Sequence, residues 1–91
     1  MIHHLKTWPA YFAAVRDGSK PFEIRREQDR TFAVGDVLVL EEYEPEAKRY
    51  TGEREVRSVS YLVRGPAWNM PIDMVVMGFR NFSHPAQGGG R

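Results

Sequence analysis

Apolar residues recur at helical spacing in one stretch of the 91-residue chain. Between Thr7 and Gly18, the side chains of Trp8, Tyr11, Phe12 and Val15 fall at i, i+3, i+4 and i+7, one face of an amphipathic α-helix. Thr7 suits the N-cap, Pro9 is tolerated in the first turn, and Gly18 supplies the left-handed residue that closes a C-terminus. The rest reads as β. Ile2 to Lys6 is long enough for one strand. Pro21 to Arg26 alternates with a period of two, which puts Phe22 and Ile24 on one face and Glu23 and Arg25 on the other. Glu27 to Arg30 is a polar loop, and Val34-Gly35-Asp36 turns the chain into Val37 to Tyr43, an aliphatic run suited to a strand covered on both faces. Glu44-Pro45-Glu46 ends that run, and a turn is expected around Tyr50-Thr51-Gly52. Glu55 to Val63 alternates as a long strand, with Val59, Tyr61 and Val63 on one side and Val56 and Leu62 on the other. Gly65 to Pro71 breaks the pattern before a last apolar strand, Met74 to Phe79.

One early helix and about five strands predict an α+β fold, a small curled mixed sheet or β-barrel with the N-terminal amphipathic helix packed on it. The expected core is Trp8, Phe12, Val15, Phe22, Ile24, Val39, Val59 and Val76. The domain spans residues 1–82, and 83–91, ending in Gln87-Gly88-Gly89-Gly90-Arg91, has the composition of a flexible C-terminal tail.

Composition narrows the function. Thirteen Lys and Arg against 12 Asp and Glu leave a net charge of +1, too little for a protein that coats nucleic acid through bulk charge, so any such contact is local. With no cysteine there is no disulfide, thiol nucleophile or zinc-thiolate site. No stretch approaches the roughly 20 apolar residues of a membrane span, and Met1 to Lys6 lacks a signal-peptide core, so a cytoplasmic location without membrane association is expected. His3 and His4 are strand neighbours facing opposite ways, with His84 the only other histidine, so neither a metal site nor another cofactor is expected. Ser58, Ser60 and Ser83 have no His/Asp arrangement to activate them.

The densest cluster of reactive groups is Gly18-Ser19-Lys20-Pro21-Phe22-Glu23-Ile24-Arg25. Glu23 and Arg25 share a strand face, and Lys20 precedes it closely enough to swing over that face. In a partly closed barrel the face would look into a cavity, where the carboxylate accepts from an amine and the cations donate to a carbonyl or phosphate. On an open sheet it would be a solvated surface laced by salt bridges of ~0 to 1 kcal/mol each. Spacing alone leaves both open. Trp68 and Asn69, in the Gly65 to Pro71 break, either offer a stacking platform for a base or plug a barrel end. Lys48, Arg49, Arg54 and Arg57 either balance the acidic run Glu41 to Glu46 or form a patch that tracks a nucleic-acid backbone.

Gly18-x-Lys20-x-x-Glu23-x-Arg25, set between an amphipathic helix and a strand and followed by Val34-Gly35-Asp36-x-Leu38, resembles the signature of ASCH domains, which share the PUA-like fold. The opening His4-Leu5-Lys6-Thr7-Trp8-Pro9-x-Tyr11-Phe12 and the run Leu40-Glu41-Glu42-Tyr43 resemble a subgroup of small bacterial and phage ASCH-like proteins of unknown function. The likeness runs from His4 to about Phe79. It implies an RNA-associated barrel whose cleft between sheet and helix takes a nucleotide or modified base. One branch of the wider family hydrolyses the amide of N4-acetylated cytidine with the lysine equivalent to Lys20 and a threonine where Glu23 stands here. That hydroxyl is missing, and a carboxylate held between two cations is a poor general base. The expectation is therefore an RNA- or modified-nucleoside-binding module with a cleft lined by Lys20, Glu23 and Arg25 and closed by Trp68 or Asn69. The alternatives are a small amidohydrolase or nuclease-like hydrolase using Lys20 with Glu23, and an adaptor that recruits a protein partner through an exposed strand edge or helix.

Overall fold

The structure is a computed structural model and describes residues 1–81. The chain runs through β1 (Ile2–Thr7), α1 (Pro9–Arg16), β2 (Phe22–Arg26), β3 (Val37–Glu44), β4 (Arg49–Arg64), a 3-10 turn (Ala67–Asn69) and β5 (Met74–Asn81). The tail expected at 83–91 lies outside the described residues. The five strands form one sheet in the order β1-β3-β4-β5-β2. β1 runs parallel to β3 and every other pairing is antiparallel. The edge strands β1 and β2 are joined by α1, which packs on β3 and β4. The sheet curls far enough for Arg25, on β2, to donate across the gap to the Lys6 carbonyl at the end of β1 at 3.0 Å. The result is an α+β half-barrel with an open seam between its two edges.

Leu5, Phe12, Val15, Phe32, Leu38, Val39, Leu40, Val59, Val75 and Met77 are the buried apolar residues. Four of the expected core residues are not among them. Trp8 is 53% exposed, Phe22 and Ile24 are exposed, and Val76 is half-buried. On β2 the alternation is real and its polarity is reversed. Residues directly opposite in an antiparallel pair share a face. Glu23 pairs with Met77 and Arg25 with Val75, and both β5 partners point into the core. Period two tells which residues share a face, and the neighbouring strand decides which face goes in.

Two bulges make the other departures. Val59 pairs with Phe79 but Tyr61 with Gly78, so Ser60 is an extra residue on β4. Past a bulge the alternation inverts. Tyr61 therefore turns outward, and Leu62 packs against the core from the side expected to be opposite Val59. Residues 51–53 stand opposite Glu42 alone, with Gly52 at φ +95°, so the turn expected around Tyr50-Thr51-Gly52 is instead a bulge inside β4, beginning just after the paired Tyr50, and the turn comes earlier, after Glu44. Gly18 closes the helix in the left-handed conformation, as expected. Thr7 does not cap it: Thr7 ends β1 and its hydroxyl donates to the Leu5 carbonyl at 3.0 Å, leaving Trp8 in extended geometry at the N-cap.

Phe32 had no sequence signal. It is held by a clamp in which Glu27 accepts from Arg64 at 2.7 and 2.9 Å and from the Phe32 N–H at 2.8 Å. His3 packs its ring 4.5 Å from that of Phe32 and bonds Asp36 at 2.8 Å, while His4 faces the other way.

Candidate functional site

The left-handed Gly18 and the Lys20 N–H bond to the Ala14 carbonyl at 3.0 Å fold the chain back under α1 just before β2. This turn carries the Lys20 side chain to Glu23. Lys20 Nζ donates to Glu23 Oε1 at 2.6 Å and to the Phe22 carbonyl at 3.0 Å. On the other side, Arg25 reaches Glu23 Oε2 through Nε at 2.8 Å and Nη2 at 2.6 Å. Glu23 is 3% exposed. A carboxylate so far from water requires charge partners, and it has one on each oxygen. Arg25 Nη2 also meets the Lys6 carbonyl and, at 3.4 Å, the Thr7 hydroxyl, so the same guanidinium fixes the carboxylate and bridges the seam.

Above these three residues lies a groove of about 580 Å³. Glu23 and Thr7, both buried, form its floor together with Lys20 and Arg25, and the exposed side chains of Trp8, Tyr11, Ile24 and Arg26 line its rim, with Lys6 also lining it. Trp8 and Tyr11 show more than half of their surface. The lining carries four cations against one carboxylate. Lys6 lies 4.2 Å from the centre of the Tyr43 ring and Arg26 pairs with Asp73 at 2.6 Å, so the outer two cations have partners of their own.

The donor count defines what this site offers. A carboxylate has about four acceptor positions, and Glu23 uses three on Lys20 Nζ and on Arg25 Nε and Nη2. Lys20 has three N–H bonds, two of them engaged. Arg25 Nη1 has no acceptor among the described residues. The floor therefore presents N–H donors, with the oxygens of Glu23 taken up by the cations it holds. The one aliphatic hydroxyl in the lining, Thr7, is committed to Leu5.

Lys20, Glu23 and Arg25 are thus brought together in one concavity. Trp68 and Asn69 are not part of it. They sit on the 3-10 turn with φ of +56° and +59°, outside the groove lining, and Trp68 is 87% exposed, so it plugs nothing. Trp8 and Tyr11 supply aromatic surface instead. A helical projection places Trp8 mid-stripe, hence the expectation that it lies in the core, and the projection fails because Trp8 is an extended N-cap residue. Tyr11 lies at the margin of the stripe, the one signal available beforehand. Arg57 is no backbone-tracking cation either: it donates to the Val15 carbonyl at 3.1 Å at the end of α1 and pairs with Glu55 at 3.0 Å.

A protein-family model described as a domain of unknown function, DUF3850, matches residues 2–79. No curated protein matches the chain.

Proposed function

We propose that this chain, which belongs to the DUF3850 family, is an RNA- or modified-nucleoside-binding module of the ASCH, PUA-like kind. One observation carries the reading: a buried glutamate holds Lys20 and Arg25 at the floor of a groove walled by the exposed rings of Trp8 and Tyr11. Exposed aromatic rings stack on bases whatever their sequence, and fixed N–H donors suit base carbonyls or backbone oxygens. The groove has the size of small-molecule sites, on the order of 300–1,000 Å³. The motif resemblance around Gly18 to Arg25 supports the same class of ligand. Amide hydrolysis has less support, since the Glu23 oxygens are bonded to two cations and the Thr7 hydroxyl is engaged.

A thermal-shift series with normal and modified nucleosides and a short single-stranded RNA tests the proposal. A ligand at 100 times its dissociation constant adds about 2.7 kcal/mol to stability, a readily measured shift. Trp8→Ala is expected to shrink the shift, most of all for the nucleosides, while the free protein still melts cooperatively. No shift with any member of the panel overturns the binding reading. Turnover of N4-acetylcytidine, lost in Lys20→Ala, would establish the hydrolase instead.

A further inference from the structure

The donors left over at the groove floor define which part of a nucleotide they meet. Glu23 cancels one of the two charges it holds, so the triad keeps a net positive charge in a partly enclosed site where the Lys20 and Arg25 side chains are only 17% and 24% exposed. A charge shielded from water to this extent is best matched by an anion. A neutral carbonyl would satisfy an N–H but leave the charge uncompensated, whereas an oxyanion satisfies both and forms the stronger, charge-assisted bond. Glu23 fixes the positions of both cations before any ligand arrives, and Arg25 is further held through Nη2 by the Lys6 carbonyl. Pre-set donors of this kind favour binding, because little ordering remains to be done.

We infer that the groove is a nucleotide phosphate site, in which Lys20 Nζ and Arg25 Nη1 take the phosphate oxygens and the base lies against Trp8 and Tyr11. This rests on the nucleic-acid-ligand reading above and makes it specific: the phosphate group, more than the base, sets affinity. Glu23 is a positioning residue. No covalent step is involved. The same chemistry is presented by a free mononucleotide, by a phosphorylated RNA end and by an internal phosphodiester.

Isothermal titration of the full chain at low salt with cytidine, its 5′-monophosphate, and an RNA tetranucleotide with and without a 5′-phosphate tests the inference. The monophosphate should bind at least about tenfold more tightly than cytidine, and the advantage should shrink as salt is raised. Lys20→Met should erase the advantage and leave residual nucleoside binding. A phosphorus NMR titration adds a direct readout: the second phosphate ionisation, near about pH 6 when free, should move down in the complex and stay near its free value with a Lys20→Met protein that still binds cytidine, which loss of structure would not imitate. The tetranucleotides separate the sources, since a gain from the 5′-phosphate assigns a terminal or free phosphate, and equal tight binding by both forms assigns the internal diester. Equal affinity for cytidine and its monophosphate, with the unphosphorylated RNA no tighter, overturns the phosphate inference while leaving the binding module intact. No binding by any of the four overturns both.

Discussion

Glu23 is among the least exposed charged groups in the protein, and each of its oxygens carries a cation. Removing one partner of a buried pair costs about 3–5 kcal/mol because the survivor is left uncompensated. Lys20 and Arg25 retain some solvent contact, so Glu23→Gln is expected to destabilise the domain by about 2–3 kcal/mol in urea unfolding. A loss under about 0.5 kcal/mol would show the triad to be an ordinary surface pair. Glu27 and Asp36 are two of the carboxylates that shape the acid limit. The bond from Arg64 lowers the Glu27 carboxyl below its usual value of 4.5, outweighing burial, and the Phe32 N–H adds to it. Burial pushes Asp36 up, but His3, the Met1 ammonium and the Ala33 N–H together hold it below the usual 3.8. Groups depressed in the native state contribute fully above their unfolded values and lose that contribution as pH falls through the native ones. Stability should therefore be flat down to about pH 5 and fall below it, with a shallower acid limb in Glu27→Gln. A profile flat to pH 3, or an acid limb unchanged in the variant, would contradict this. The sequence showed that Lys20, Glu23 and Arg25 could meet, because strand spacing fixes a shared face. It did not show that the face was the buried one, since that depends on β5.

At the scale of elements, α1 serves two sides. Phe12 and Val15 are buried against the sheet, whereas Trp8 and Tyr11 belong to the groove. Phe12→Ala should cost about 3–5 kcal/mol. Tyr11→Ala, at 56% exposed, should stay within about 1 kcal/mol and weaken ligand binding instead. Equal losses in the two variants would mean the helix is rotated from the position described. The glycines give a second contrast. A Cβ on Gly65 would fall 1.8 Å from the Pro71 carbonyl oxygen, so Gly65→Ala forces the backbone of the 65–71 loop apart. Gly52 has nothing within 4 Å of that point and only its positive φ to object, so Gly52→Ala should cost about 1–2 kcal/mol and Gly65→Ala more. Thermal melts of the pair rank them, and the reverse order would sink the argument. The strands, the helix and the Gly18 closure were legible because each leaves a periodic or conformational mark. The bulges at Ser60 and Gly52 were not: the one residue inserted at Ser60 changes no local composition, yet it inverts every inward and outward assignment beyond it, and the two inserted around Gly52 look like a turn in the sequence.

Across the whole molecule the sheet does not close on itself. The Glu27 N–H bonds the Asp73 carbonyl and the Phe79 N–H bonds the Pro21 carbonyl, so by alternation the amides of Glu23 and Arg25 point at β5 and that of Ile24 points off the edge. In hydrogen exchange, Ile24 should exchange far faster than Glu23 or Arg25 and slow when a ligand fills the groove. Equal protection in the free protein would mean the seam is shut. The order β1-β3-β4-β5-β2 also has a consequence for how the chain is made. The first two strands to be synthesised are the outermost, and neither touches the other along its length. Phe22 waits for Gly78 and Ile2 for Val37, so a ribosome-bound chain ending before β5 exposes the core-facing Glu23 and Arg25 with no partner strand. Such pairings close long loops before they gain any contact, which slows folding and concentrates it in one late step. The Lys20, Glu23 and Arg25 cluster is thus assembled last, when β5 slots between β4 and β2, and a nascent chain of this protein should show no ligand binding until that strand has left the exit tunnel.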